Sequence, residues 1–137
     1  MQSTVNVVPE KYADLLEWDT KAYAHVATIG PNGEPQNNPV WFDWDGSAIR
    51  FSQTTTRQKL KNVEREPRVA LSILDPQNPY RYLEVRGTVV AVEPDPDKAF
   101  IDRMAQKYLG KDKYPWNRPG DERVVIVVEP EHTSSMG

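Results

Sequence analysis

A basic cluster is the first place where this sequence could do chemistry. Between residues 57 and 68 stand Arg57, Lys59, Lys61, Arg65 and Arg68 against only Glu64 and Glu66, in a chain whose net charge is −3. Thr54, Thr55 and Thr56 precede the cluster, and Thr55-Thr56-Arg57-Gln58 fits a capping box with Thr55 as N-cap. Free backbone N–H groups, the positive end of a helix dipole, threonine hydroxyls and two cations would converge there on an anion, with phosphate as the natural guest. The same residues also read as a solvated helix face neutralised by Glu64 and Glu66.

A second constellation runs Gln36-Asn37-Asn38-Pro39-Val40-Trp41-Phe42-Asp43-Trp44. Asn and Gln are poor strand formers, and a planar ring with polar edges would give them a purpose: amides read its heteroatoms while aromatic and aliphatic groups cover its faces. The competing reading makes the aromatics core residues and Pro39 an edge or bulge marker. A third group, Tyr80-Arg81-Tyr82 and Tyr114-Pro115-Trp116-Asn117-Arg118, places aromatics and arginines in loops that could cap a ligand or meet a second subunit. Plain anchored loops would look the same.

Other chemistries start with little material. Cysteine is absent, which removes disulfides, thiol nucleophiles, Cys-ligated zinc and iron–sulfur clusters, and suits a reducing cytoplasm. The two histidines are far apart: His25 opens a strand and His132 falls in an expected frayed tail. No carboxylate pair sits in an apolar context, and no Gly-x-Gly-x-x-Gly or Walker-type loop occurs. The negative net charge disfavours nucleic acid and anionic membranes. The longest apolar run, residues 124–128, falls far short of the roughly 20 residues of a membrane span, and residues 1–9 lack a signal-peptide profile. The expectation is a soluble, cytoplasmic protein that is not exported.

The elements that must position these groups follow from periodicity. The 137 residues suit one domain over residues 1–137, with a core at about 9–131 and flexible termini. Tyr12, Leu15, Leu16 and Trp18 fall on one side of a short helix begun by Pro9. Residues 24–29, 35–44 and 48–53 read as a three-stranded meander with turns at Asn32-Gly33 and Asp45-Gly46. A helix over 55–66, strands over 69–74 and 80–92 joined by a loop at 75–79, a helix capped by Asp95, and a strand over 122–129 complete the chain. Strands outnumber helices, so the fold class is mainly β with minor α: a small antiparallel barrel with short helices closing its openings.

Several stretches together resemble a known family: Phe51-Ser52-Gln53-Thr54-Thr55-Thr56-Arg57-Gln58-Lys59, the span 62–74 with Glu66-Pro67-Arg68-Val69, the span 78–87, and Tyr108-Leu109-Gly110 followed by Tyr114-Pro115-Trp116. Over about residues 10–131 the chain resembles the pyridoxamine-phosphate-oxidase-like split β-barrel proteins, and among them the actinobacterial-type branch that uses the deazaflavin coenzyme F420. The resemblance implies a homodimer with two cofactor sites at the subunit interface. It implies a ring lying along Asn38, Pro39, Val40 and Trp41 up to Phe42, with backbone contacts at Ser52 and Gln53. The cofactor phosphate would meet Thr54, Arg57, Gln58 and Lys59, and the partner subunit would cover ring or tail from Tyr80, Tyr82 and Trp116. Pro39 departs from the family pattern by removing a backbone donor from the ring-binding strand.

The implied activity is hydride transfer from reduced F420 to a small conjugated or quinone-like acceptor, with no side chain as an indispensable catalyst, because the cofactor carries the chemistry. Two alternatives stand beside it. One is an FMN-binding flavoprotein on the same barrel, against which Lys61 and Arg65 offer extra charge for the longer acidic tail of F420. The other is a protein that binds a cofactor or tetrapyrrole without turnover.

Overall fold

The computed structural model describes residues 7–137, and its frame is one seven-stranded antiparallel sheet. The strands are β1 (Ala24–Ile29), β2 (Pro35–Val40), β3 (Asp43–Trp44), β4 (Ile49–Thr54), β5 (Arg68–Asp75), β6 (Asn78–Pro94) and β7 (Arg123–Met136). Their order across the sheet is β2-β1-β5-β6-β7-β4-β3. Two helices, α1 (Gln58–Arg65) and α2 (Ala99–Leu109), are inserted between β4 and β5 and between β6 and β7. Among the described residues no helix is long and apolar enough to cross a membrane.

The order of the strands contains the main correction to the sequence reading. Residues 35–44 are two strands, and β2 and β3 occupy opposite edges of the sheet. Only Trp41 and Phe42 separate Val40 on one edge from Asp43 on the other, and three Cα steps of 3.8 Å cannot exceed about 11 Å. The sheet is therefore curled until its edges approach each other at this crossover without pairing, giving a mainly β, split antiparallel barrel rather than a meander. Pro39 fits its place because β2 is an edge strand, where a missing N–H costs no ladder on the outer side.

Alternation supplies the core. In β1 the buried set is Ala24, Val26 and Thr28; in β5 it is Val69, Leu71 and Ile73; in β6, Leu83 and Val85. Phe42 and Phe51 are fully buried among them. The expected first helix is a 3-10 helix, Glu10–Leu16, whose Tyr12, Leu15 and Leu16 face the core, while Trp18 starts a separate short turn. Arg81 ties that helix to the β5–β6 hairpin by ion pairs to Asp14 at 2.6 Å and Asp75 at 3.1 Å.

The strands β6 and β7 are longer than expected and pair along most of their length, with bulges at Arg86/Gly87 and Val89/Ala91. At the first bulge a side chain on Gly87 would place its Cβ 2.3 Å from the Glu129 carbonyl, which only glycine avoids. His132 lies within β7, opposite Arg86, rather than in a frayed tail. The chain also resumes strand pairing directly after Asp75, so residues 75–79 form a tight hairpin instead of a loop. Met1 to Pro9 belongs in large part to residues outside those described.

Candidate functional site

Where the curled sheet brings β2 near β4, a cleft of about 750 Å3 opens, within the usual size of small-molecule sites. The first turn of α1 forms one end of it. Helix α1 begins at Gln58 with Arg57 as N-cap, extended at φ −83 and ψ 145, and no side chain caps it. This corrects the capping box: Thr55 is not the cap, since residues 54–57 form a turn closed by the Arg57 N–H donating to the Thr54 carbonyl at 3.2 Å. The cap thus lies two residues later, which brings Arg57 and Lys59 to the mouth of the helix.

The expected residues Asn38, Pro39, Val40, Trp41, Ser52, Gln53, Thr54, Arg57, Gln58 and Lys59 all line this one cleft, and Trp116, expected from a partner subunit, lines the cleft of its own chain. Tyr80 and Tyr82, expected to reach the cofactor from a partner subunit, do not line the cleft of their own chain, and Tyr80 projects from the β5–β6 hairpin with 78% of its surface exposed. Lys61 and Arg65 are also outside it, and Arg65 donates to the Ile29 carbonyl instead. The sequence reading named no role for Tyr23, Arg123, Ile101 or Met104, which line the cleft as well. Ile101 and Met104 carried only a core-helix signal, and Arg123 opens an otherwise apolar strand, so no local pattern marked them.

Charge in the cleft is one-sided. Its wall carries Arg57, Lys59 and Arg123, and among the described residues no Asp or Glu lines it. Among the described residues none of these three cations makes an ion pair. Lys59 is the extreme case, 7% exposed and next to the Phe51 ring at 5.9 Å. Burial, with the Arg57 charge adding to it, pushes its ammonium down to about 8. An unpaired buried cation is costly, and a charge of this kind is retained where an anion will meet it.

The amides form the floor. Asn62, fully buried on α1, donates to Thr28 Oγ1 at 3.0 Å and to Gln36 Oε1 at 3.1 Å, and accepts from Gln58 Nε2 at 2.9 Å. Gln36 Nε2 in turn donates to Asn38 Oδ1 at 3.0 Å. This chain of hydrogen bonds locks α1 to β2 and fixes the polar edges of Asn38 and Gln58 in the cleft. It also explains why a strand carries Gln and Asn at alternate positions: both point to the same side.

An aromatic wall lines the same cleft. Trp41 stacks on Tyr108 with centroids 5.2 Å apart and 6° between planes, Tyr23 stacks on the same Tyr108 at 5.6 Å, and Tyr114 meets Trp41 and Trp116 edge-on at 5.9 and 5.5 Å. Behind the wall, the Phe42 N–H donates to the Tyr108 hydroxyl at 3.2 Å, which donates to the Ala22 carbonyl at 2.6 Å. Lys107 Nζ donates to the Phe42 carbonyl at 2.8 Å, and burial pushes that lysine down to about 8 against the opposing pull of Asp43. The end of α2 therefore clamps the crossover that carries Trp41. Burial raises the Tyr108 phenol above its ordinary range, so it stays a neutral donor.

Tyr108→Phe keeps both ring stacks and removes the hydroxyl that satisfies two backbone groups. The expected loss is about 1–2 kcal/mol in urea denaturation, with a changed tryptophan emission from Trp41; an unchanged midpoint and spectrum would show that the clamp holds nothing.

Asp95 illustrates a related displacement. Helix α2 starts at Ala99 with Lys98 as its left-handed N-cap, yet the Asp95 carboxylate still accepts from the Phe100 N–H at 3.1 Å. The residue does the capping from outside the cap position.

Comparison with known proteins agrees with this architecture. The family model described as pyridoxamine 5'-phosphate oxidase matches residues 8–137. No curated protein sequence matches the chain. A solved structure titled F420 reductase is 47% identical, with a TM-score of 0.82 over 93% of this chain and 98% of its own. A conserved hypothetical protein from Mycobacterium tuberculosis is 21% identical, with a TM-score of 0.70 over 99% of this chain and 89% of its own. A pyridoxamine 5'-phosphate oxidase-related, FMN binding protein from Nostoc punctiforme shares the fold at 15% identity and a TM-score of 0.67, over 97% of this chain and 86% of its own. With the split barrel, the crossover and almost the whole length accounted for, the chain belongs to the pyridoxamine 5'-phosphate oxidase family.

Proposed function

We propose that this protein is an oxidoreductase that holds coenzyme F420 in the cleft and reduces a small conjugated or quinone-like organic acceptor. The observation that carries the reading is Lys59: a buried ammonium at the open start of a helix, with no carboxylate partner and no acidic side chain lining its cleft among the described residues. The 47% identical structure titled F420 reductase supports the deazaflavin over other phosphorylated ring cofactors.

The residues present fit such a group. Its phosphate suits Lys59, Arg57 and the first N–H groups of α1. Its polar ring edge suits the Asn38 and Gln58 amides, and its ring faces suit Val40, Trp41 and Trp116. When bound in reduced form, a deazaflavin supplies a hydride. The chain's own work is to fix the ring, present an apolar wall of Ile101, Met104 and Tyr114 that excludes water from a flat acceptor, and offer a proton from Tyr23, Tyr114 or solvent. That division of labour asks for no nucleophilic side chain and no metal ligand from the chain. A homodimer is part of the proposal, with exposed Trp116 and Tyr80 as the aromatic groups a second copy would cover.

Parallel titration of the protein with F420 and with FMN, followed by tryptophan fluorescence, tests the reading. F420 should bind with micromolar or tighter affinity and FMN at least about tenfold more weakly. Preference for FMN would transfer the protein to the flavin-binding alternative, and binding of neither would end the cofactor reading.

A further inference from the structure

Arg123 is the third cation of the cleft, and it stands at the start of β7 rather than at the start of α1. It lies opposite Thr54, the first residue of the turn into α1, in the β4–β7 ladder. Its head group, however, turns back along β4: Nη1 donates to Ser52 Oγ at 3.2 Å, two residues further from α1. That displacement is about 7 Å at the rise of a strand. Nε donates to Asn117 Oδ1 at 3.1 Å, and the guanidinium lies over the Tyr114 ring at 4.9 Å. Tyr114 touches Trp41 and Trp116, so the charge sits in the aromatic half of the cleft, away from the mouth of α1.

All three partners of Arg123 are neutral. They fix the plane of the guanidinium without cancelling its charge, and no carboxylate among the described residues does so. Of five N–H donors two are used, which leaves both terminal nitrogens able to donate side by side. A two-oxygen anion is the complement of that fork, and an aromatic wall beside it selects a flat molecule.

We propose that Arg123 is a specificity-determining residue that reads a carboxylate on the acceptor, so that the preferred substrates of this cleft are planar conjugated acids. The proposal rests on the cleft being a cofactor and acceptor site, but it concerns a different part of the wall from the phosphate end. A carboxylate could also come from an acidic cofactor tail, and the two sources separate experimentally.

The test uses 2-naphthoate and its uncharged analogue 2-naphthamide as probes, read by quenching of tryptophan fluorescence on the full chain, with inorganic phosphate as a probe of the Lys59 end. In the native protein naphthoate should bind at least about tenfold more tightly than naphthamide. Arg123→Gln should erase that preference and leave phosphate binding intact, whereas Lys59→Met should do the reverse. Ser52→Ala, which loosens the guanidinium without removing it, should narrow the preference and serves where Arg123→Gln fails to fold.

Equal affinity for the two probes in the native protein, or a preference that survives Arg123→Gln, overturns the proposal. So does loss of phosphate binding in Arg123→Gln, which would assign the arginine to the phosphate. If F420 saturates the protein and Arg123→Gln weakens F420 while leaving the naphthoate preference unchanged, the carboxylate belongs to the cofactor tail and the proposal is again overturned. Failure of F420 to bind, with the naphthoate preference intact and lost in Arg123→Gln, would remove the cofactor reading alone.

Discussion

Lys59→Met should make the ligand-free protein more stable while removing most of its affinity for phosphorylated ligands. Burial holds the Lys59 ammonium near 8 in the folded protein, against 10.5 for a free lysine. Between those values the unfolded chain binds more protons, so stability rises with pH across that window; below about 8 the cost is present in full, and above 10.5 it is gone. A shift of this size corresponds to about 3 kcal/mol, of which part returns when methionine fills the same volume. The expected result is therefore a higher melting temperature at neutral pH for Lys59→Met, with the gain shrinking as the pH approaches 10.5.

Binding moves the other way. An anion needs the charged ammonium, and a charge-assisted hydrogen bond of about 1.5–3 kcal/mol corresponds to a ten- to hundredfold loss in the variant. In the native protein the affinity for F420 should fall as pH rises above about 8, by up to tenfold per unit, and the variant should show no such slope. A lower melting temperature in Lys59→Met, or native affinity independent of pH across that range, would mean that the lysine is structural and that the anion site lies elsewhere. This opposition between stability and binding is the usual mark of a group kept in an unfavourable place for its ligand.

Asp43 should produce the largest loss of stability. Its carboxylate is 3% exposed and accepts from Arg50 at 2.9 and 2.7 Å and from Arg103 at 3.1 Å, joining β4 and α2 to the strand directly after the crossover. Asp43→Asn removes the charge and leaves two guanidinium groups facing a weak acceptor. Breaking a buried pair costs about 3–5 kcal/mol, and because both arginines keep contact with solvent the lower end of that range applies. Chemical denaturation should register about 3 kcal/mol, and the ligand affinity of the cleft should fall with it, since Trp41 sits two residues away. A variant with unchanged stability would show that the crossover is held by Tyr108 and Lys107 alone.

Much of this protein is legible one segment at a time. The strand over residues 24–29, the amphipathic faces of both helices and the excess of positive charge at residues 57–68 all depend on side chains near one another in sequence, where alternation and helical spacing report directly on burial. The amides of Gln36 and Asn38 were conspicuous for the same reason: a strand does not carry them without a use. Pairing between distant strands was not legible. Nothing local distinguishes a meander from a chain that leaves one sheet edge at Val40 and rejoins the opposite edge at Asp43, because the partner strand is chosen by burial of whole faces.

The sequence by itself determined the mainly β class, the excess of positive charge around α1 and the supply of aromatic side chains, since each follows from composition and short-range spacing. Only the tertiary structure decided that Lys59 lies buried without a counter-charge among the described residues, that Tyr80 and Tyr82 stand apart from the cleft of their own chain, and that Arg123 from the last strand joins it. Those outcomes depend on the curl of the sheet, which brings residues more than sixty positions apart onto one wall, and no periodicity within a single segment contains that information.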